Sequence, residues 1–223
     1  MQQLEERLGY RFRDRSLLQT ALTHSSYANE RTGTQSYERL EFLGDAILGL
    51  CAAKNICRLY PEMPEGEMTR LRSELVCESS LYLVAQRLGL REYLLIGRNE
   101  ECNGGRDRVS ILADLVEAII AAMYLDGGME PAEKFIEGNV LCDILAGKRP
   151  QRTDYKTQLQ ELLQQKGGAA PVYVIIGESG PDHNKTFAAR VTLHDNMTAE
   201  GSGKSKKEAE QKAAEAALKL LKK

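Results

Sequence analysis

Three carboxylates lie on one side of a predicted helix in the stretch ERLEFLGDAILGL, residues 38–50. An α-helix advances about 100° per residue, so Glu38, Glu41 and Asp45 fall within a strip roughly 60° wide. The opposite side of the helix is apolar, with Leu40, Leu43 and Ile47. Unpaired carboxylates between apolar surfaces repel one another and lose hydration at a high cost in free energy. The pattern therefore predicts a bound cation at this strip.

A second predicted helix, ILADLVEAIIAAMYL at 111–125, contains two further carboxylates. Asp114 and Glu117 are three residues apart and share one face of the helix. Every other residue from 111 to 123 is apolar, which is typical of a helix in the hydrophobic core. Buried carboxylates persist only when they are paired, protonated or bound to metal.

Two explanations of these acids remain open from the residues alone. Each acid could form a buried ion pair with an arginine of another segment, such as Arg70 or Arg72. Alternatively, the two helices together supply the hard oxygen ligands that Mg²⁺ or Mn²⁺ requires. The cysteines and histidines lack zinc-site spacing, and His24 is better explained as a hydrogen-bonded structural residue than as a catalytic base.

Length and composition exclude several classes of protein. The chain has 223 residues, 42% of them hydrophobic and 28% charged, as in ordinary globular proteins. The apolar run AIIAAMYL at 118–125 is too short to span a bilayer, which takes about 18 residues or more, and the charged start is unlike a signal peptide. Five cysteines without a CxxC pair suggest reduced thiols. We expect a cytoplasmic protein without a membrane partner.

The charge distribution and residue periodicity predict two domains. Residues 1–152 have a net charge of −4 and residues 153–223 a net charge of +2. Helical periodicity covers residues 1–145 without a convincing strand. A polar segment with Gly147 and Pro150 then predicts a linker at 146–153, followed by a second domain at 154–223. The predicted helices of the first domain lie near 15–22, 36–58, 64–76, 78–88, 108–126 and 130–145.

The second domain is predicted to have the order α-β-β-β-α. Its helices are YKTQLQELLQQKG and SKKEAEQKAAEAALKLLK, and its strands are PVYVIIGES, KTFAARVTLHD and MTAEGSG. In the second strand every other residue is apolar, which indicates a sheet covered on one side: Phe187, Ala189, Val191 and Leu193.

Lys204, Lys206 and Lys207 stand at the start of the last helix, where the helix dipole disfavours cations. Ser205 and Glu208 have the spacing of a capping box at this end. A phosphate of nucleic acid would account for the lysines, whereas the alternative is a solvated surface charge run.

Several sequence blocks, in order, resemble the ribonuclease III family. They are ALTHSSYANE, ERLEFLGDAIL, PEGEMTRLRSELV and GGRDRVSILADLVEAIIAAMYLDGG. The resemblance implies an all-α nuclease domain that dimerises and cuts both strands of an RNA duplex with Mg²⁺, for which Mn²⁺ can substitute. It implies 5′-phosphate and 3′-hydroxyl ends with short 3′ overhangs, and a role in processing rRNA and mRNA precursors.

The same resemblance implies roles for six acids. Glu41, Asp45, Asp114 and Glu117 would bind the metal, Asp45 and Glu117 being catalytic as well. Glu38 and Glu65 would be supporting catalytic acids near the scissile strand. Phe42, beside the acid strip, is a candidate for the dimer contact, although an ordinary core phenylalanine is the alternative.

The second domain resembles a double-stranded-RNA-binding domain, an α+β fold, through its element order and the segments GPDHNKTF and GKSKKEAEQKAA. In such domains the first helix and the first interstrand loop reach successive minor grooves, and the lysine end contacts the phosphates between them. The resemblance implies RNA contacts by Gln160, Glu161, His183, Lys204, Lys206 and Lys207.

The leading hypothesis is a homodimeric endoribonuclease of double-stranded RNA. A binding protein whose helical domain only dimerises is one alternative, but it would be expected to lack the acid set. A metal-dependent hydrolase of small phosphates is a weaker alternative, because it leaves the basic module without a purpose.

Overall fold

The chain divides into two units, Met1–Pro150 and Gln151–Lys223, and each unit has its own hydrophobic core. The structure is a computed structural model that describes residues 1–148, 155–165, 167–180, 185–193 and 197–221. The predicted linker spans the division, and its residues 149–153 lie outside the described part. No helix in the described ranges combines the length and apolar character needed to cross a membrane.

The first unit is helical, as the sequence predicts. Its described α-helices are α1 (Gln2–Leu8), α2 (Arg15–Ala21), α3 (Ser25–Asn29), α4 (Glu38–Leu59), α5 (Glu65–Leu75), α6 (Glu78–Leu88), α7 (Arg98–Cys102), α8 (Val109–Gly127), α9 (Met129–Asn139) and α10 (Cys142–Leu145). The apolar helix α8 lies at the centre and packs against α2, α4, α6 and α9. Its residues from Leu115 to Met123 are fully buried, apart from Glu117.

The prediction of one helix at 130–145 is wrong, because a turn separates two helices, α9 and α10, in this region. The backbone N–H groups of Val140 and Leu141 both donate to the carbonyl of Ile136, at 2.8 and 3.0 Å. Leu141, in the turn, and Ile144, on α10, are both buried in the core. The short helices α1, α3 and α7 were not predicted, because five to seven residues give almost no periodic signal.

The second unit has the predicted order: α11 (Tyr155–Gln165), β1 (Val172–Ser179), β2 (Thr186–Thr192), β3 (Thr198–Gly203) and α12 (Lys206–Leu221). The strands form an antiparallel sheet in the order β1-β2-β3. Ala189, Val191 and Leu193 are buried, with Phe187 packed against the same core as predicted. Gly201 allows β3 to approach α12 closely, because a Cβ there would lie 2.2 Å from the backbone nitrogen of Ala213.

The carboxylate of Asp126 ties the C-terminal end of α8 to the segment before α2. It accepts hydrogen bonds from the Tyr10 hydroxyl at 2.7 Å and from the backbone N–H groups of Arg13 and Asp14 at 2.9 and 2.8 Å. Burial alone would raise the pKa of Asp126, but the backbone donors of Asp14 and Arg13 and the Tyr10 hydroxyl hold that pKa below its ordinary value. The bonds therefore favour the ionised carboxylate.

We predict that Asp126→Asn lowers the free energy of unfolding by about 1.5–3 kcal/mol at pH 7, since the amide cannot accept all three hydrogen bonds with a full charge. A carboxyl with a lowered folded-state pKa stabilises the fold above its unfolded pKa of about 3.9, and this contribution is lost as pH falls through the folded-state value. The difference from wild type should therefore shrink in acid.

Urea unfolding at neutral and acidic pH measures this effect. Asp143→Asn is the control, because the exposed Asp143 pairs with the exposed Lys148 at 3.6 Å, and exposed ion pairs contribute little to stability. Equal stability of Asp126→Asn and wild type at pH 7 would contradict the prediction.

Candidate functional site

Helices α4 and α8 bring three carboxylates together. Glu41 on α4 and Asp114 and Glu117 on α8 each offer an oxygen atom, and these atoms all lie within 4.8 Å of one another. The three side chains are half-buried between the apolar surfaces of the two helices. The group joins acids from both of the helices that the sequence singles out.

The pKa values show that this arrangement disfavours ionised carboxyls. Burial, followed by the charges of Asp45, Asp114 and Glu41, raises the pKa of Glu117 to about 8. Burial and neighbouring carboxylates also raise the pKa of Glu41 and of Asp114. Within the described ranges none of the three forms an ion pair with a lysine or arginine. The ion-pair alternative with Arg70 or Arg72 is therefore not supported.

The other predicted acids lie outside this tight group. Asp45 is exposed one turn beyond Glu41, and its charge contributes to the raised pKa of Glu117. Glu38 is exposed at the first residue of α4 and accepts a 2.8 Å hydrogen bond from the Ser36 hydroxyl. Glu65 begins α5 and accepts a 2.8 Å bond from the Thr69 hydroxyl.

A buried tyrosine beside the acids was missed in the sequence. Tyr37 directly precedes α4, and its side chain is 3% exposed. Burial, then the charges of Asp114 and Glu41, raises the pKa of its hydroxyl well above the ordinary value, so the hydroxyl stays protonated. No motif marked this residue, because its position beside the acids depends on how α4 packs.

His24 has the structural role predicted for it. Its ring Nδ1 accepts a 3.1 Å hydrogen bond from the backbone N–H of Ser26 and so caps α3. The ring packs edge-on against Tyr37, with centroids 5.7 Å apart. Burial lowers the pKa of His24, although the negative charges of Glu100 and Glu38 act to raise it. Glu100 itself was not singled out in the sequence, and it pairs with Arg108 at 2.7 Å.

Gly44 is another residue near the acids that sequence reasoning missed. It is buried where α4 meets α8, directly against the backbone of Glu117. The available signal was a glycine inside a long helix, where glycine is otherwise unfavourable.

Helix α4 also presents an apolar strip to solvent. Phe42 is 82% exposed and Leu50 is 58% exposed, and exposed Ala46 lies between them at helical spacing. The alternative that Phe42 is an ordinary core residue is therefore wrong. Large apolar side chains in such a strip are typical of an interaction surface.

Lys204, Lys206 and Lys207 lie at the capped amino end of α12, which we call the lysine end. The Glu208 N–H donates to the Ser205 hydroxyl at 3.1 Å, and the Glu208 carboxylate accepts from the Lys204 N–H at 2.7 Å. Lys206 and Lys207 are exposed, and the Lys206 ammonium lies 5.9 Å from the centre of the Phe187 ring.

The remaining predicted RNA contacts are placed only in part. Gln160 is exposed and Glu161 half-buried on α11. His183 lies outside the described residues.

Comparison with known proteins identifies the class. A family model described as Ribonuclease-III-like matches residues 14–144, and one described as Double-stranded RNA binding motif matches residues 155–221. The chain therefore belongs to the ribonuclease III family. It is a metal-dependent endoribonuclease that acts on double-stranded RNA.

Individual relatives extend over nearly the whole chain. A protein named Ribonuclease 3 from Natranaerobius thermophilus is 49% identical over 99% of this chain and 96% of its own length. A Ribonuclease 3 from Bacillus cereus is 48% identical over 98% of this chain and 90% of its own. The crystal structure of the nuclease domain of ribonuclease III from Campylobacter jejuni is 38% identical with a TM-score of 0.59, covering 64% of this chain and 95% of that domain.

We predict that Glu117→Gln raises the melting temperature at pH 8 without metal. A carboxyl whose pKa rises on folding destabilises the folded state progressively as pH increases from its unfolded value of about 4.5 to about 8. The glutamine cannot ionise, so the free energy of unfolding of the variant should exceed that of wild type by about 1–3 kcal/mol at pH 8 and by little at pH 5.

Thermal melting in a metal chelator at both pH values measures the difference. Glu130→Gln, at an exposed position on α9, is the matched control. A lower melting temperature of Glu117→Gln at pH 8 would indicate a cationic partner instead of repulsion.

Proposed function

We propose that this chain uses Mg²⁺, for which Mn²⁺ can substitute, to hydrolyse phosphodiesters in both strands of an RNA duplex. The products would be 5′-phosphate and 3′-hydroxyl ends with short 3′ overhangs. The observation that carries the proposal is the group of three carboxylates on α4 and α8, which forms no ion pair with the residues that the structure describes.

The group suits a small divalent ion. Oxygen ligands lie about 2.1 Å from Mg²⁺, so ligands on opposite sides of the ion are about 4.2 Å apart. The carboxylate oxygens of Glu41, Asp114 and Glu117 all lie within 4.8 Å of one another, so small movements of the side chains would bring them to the ligand distances of one such ion. The set contains no nitrogen or sulfur ligand, which favours Mg²⁺ or Mn²⁺ over zinc. Asp45, one turn from Glu41, completes the proposed ligands.

The residues have separate roles in hydrolysis. A bound divalent ion would make the attacking water more acidic and neutralise charge that develops on the phosphate. Glu41, Asp45, Asp114 and Glu117 would hold and orient that ion. Glu38 and Glu65 are exposed, which leaves them accessible to the scissile strand.

We predict that cleavage of a long RNA duplex requires Mg²⁺ or Mn²⁺ and that Glu117→Gln reduces the cleavage rate by about 100-fold or more while duplex binding persists. The variant loses a charged ligand needed in the transition state, but the lysine end is unchanged. Ca²⁺ should support little turnover, because its bonds are longer and its geometry less defined.

Single-turnover cleavage and a gel-shift assay on the same preparation measure the two effects, with Glu130→Gln as control. Full cleavage in excess EDTA would refute the metal assignment. Binding without any cleavage by the wild type, at every metal tested, would instead favour the alternative of a binding protein.

The lysine end of α12 is the proposed phosphate contact of the second unit. Lys206 and Lys207 are exposed and form no ion pair within the described ranges, whereas Lys212 and Lys219 pair with Glu208 and Glu215. The helix amino end adds its own preference for an anion. Gln160, Glu161 and His183 are the proposed minor-groove contacts.

We predict that Lys206→Ala with Lys207→Ala weakens binding to all duplex sequences about equally. Removing two phosphate contacts should reduce the slope of log affinity against log salt concentration by about 2. Binding titrations on two unrelated duplexes over a range of salt test this. Lys219→Ala is the control, since Lys219 lies in the last turn of α12 and pairs with Glu215. A loss confined to one duplex would refute the assignment.

The apolar strip of Phe42, Ala46 and Leu50 is the proposed contact with a second copy of the chain. A second solved structure of the C. jejuni nuclease domain describes structural flexibility in a region involved in dimer formation of that protein. It is 40% identical to this chain with a TM-score of 0.57, and the match covers 61% of this chain and 96% of that domain. Because Phe42 lies beside Glu41 on α4, pairing through the strip would bring two catalytic centres to one duplex.

We predict that Phe42→Glu converts the dimer to a monomer, since a buried unpaired charge at the contact costs several kcal/mol. Light scattering across a concentration series measures the mass. Leu83→Glu is the control, because Leu83 is 61% exposed on α6 and outside the strip. A dimeric Phe42→Glu, or a monomeric wild type, would exclude this contact.

We further propose that the substrates are duplex regions of rRNA and mRNA precursors in the cytoplasm. Support comes from the pairing of a nuclease unit with a double-stranded-RNA-binding unit, whose exposed lysines would contact phosphates in any duplex sequence. Depleting the protein from its cells and mapping RNA ends would test this, and unchanged precursor levels would reject it.

A further inference from the structure

Helices α4 and α8 come into backbone contact at Gly44. A Cβ atom at this position would lie 1.9 Å from the carbonyl oxygen of Glu117, 2.5 Å from its carbonyl carbon and 3.0 Å from its Cα. These are backbone atoms, so no side-chain rotation could relieve the overlap. Ordinary contacts begin at 3.4 Å, so the helices would have to separate locally by roughly 1.5 Å to accept a methyl group.

This contact involves the backbone of a residue of the carboxylate group. Gly44 follows Glu41 by one helical turn and directly precedes Asp45, while the backbone that it touches belongs to Glu117. Glu41 comes from one helix, and Asp114 and Glu117 come from the other. The spacing of α4 and α8 at Gly44 therefore sets how far Glu41 lies from the other two ligands.

We propose that Gly44 is a positioning residue that sets the affinity and the selectivity of the carboxylate group for small divalent ions. The inference rests on the proposed metal site. Mg²⁺ requires near-ideal octahedral geometry with bonds of about 2.0–2.1 Å, whereas Ca²⁺ accepts bonds of about 2.3–2.6 Å in flexible geometry. A wider group would therefore lose Mg²⁺ more than Ca²⁺.

Helix propensity gives no reason for a glycine at this position. Glycine inside a helix is less favourable than alanine, so Gly44→Ala would stabilise α4 if the position were open. Gly49 on the same helix provides the comparison, because a Cβ added there would meet no atom of the described residues within 4 Å. Gly49→Ala is thus a matched control with the same chemical change and no helix contact.

The test uses the full chain without RNA. Circular dichroism at low temperature first checks that each protein is folded. Binding of Mg²⁺ and of Ca²⁺ is then measured by isothermal titration calorimetry for wild type, Gly44→Ala, Gly49→Ala and Glu117→Gln. We expect Gly44→Ala to lose about 10–100-fold in Mg²⁺ affinity, as is typical when a residue that orients metal ligands is replaced, and to lose less in Ca²⁺ affinity. Gly49→Ala should bind both ions like wild type.

The outcomes separate this inference from the proposed function. If Glu117→Gln binds Mg²⁺ as tightly as wild type, the metal assignment fails and the role of Gly44 fails with it. If Glu117→Gln loses Mg²⁺ but Gly44→Ala does not, or if Gly44→Ala loses both ions equally, only the inference about Gly44 is overturned.

A folding defect is handled by a second measurement. If Gly44→Ala is unfolded in buffer, the titrations are repeated in trimethylamine N-oxide, which favours compact states. A variant that stays unfolded there overturns the proposal, because Gly44 would then serve the packing of the whole helix pair and not the metal group.

Discussion

The close packing of α4 on α8, with carboxylates between them, is the constraint on which the nuclease unit depends. The two helices bury a large apolar surface, and this burial stabilises the unit. The same burial raises the pKa of Glu117, Glu41 and Asp114 and so opposes their ionisation. A divalent cation would remove that conflict. The folded chain thus holds an arrangement that is unfavourable by itself and suited to binding metal.

The surroundings of the carboxylate group are fixed by ordinary structural interactions. Tyr37 is buried at the start of α4, and its backbone N–H donates to the Thr23 carbonyl at 2.8 Å. His24 caps α3 and packs against Tyr37, which connects the neighbouring short helix to the site. Such contacts limit the movement of α4, and a metal site needs this rigidity because its ligands come from separate elements.

The second unit places charge against the local preference of its own helix. Lys206 and Lys207 lie at the amino end of α12, where the helix dipole repels cations. The capping hydrogen bonds of Ser205 and Glu208 do not use the side chains of Lys206 and Lys207, which remain exposed. The exposed lysines and the helix amino end together favour an anion, whereas the carboxylate group of the nuclease unit favours a cation.

The sequence by itself determined the longer helices, the three strands, the two-unit organisation of the fold and the choice of Glu41, Asp114 and Glu117 as candidate acids, because periodicity and charge on an apolar helix are properties of consecutive residues. Only the tertiary structure decided the break after Asn139, the burial of Tyr37, the exposure of Phe42 and the contact at Gly44. Each of these depends on which surfaces meet across segments far apart in the chain. The pattern of residues within one helix does not specify which surface that helix will pack against, because helix packing is set by the fit of side chains from both partners.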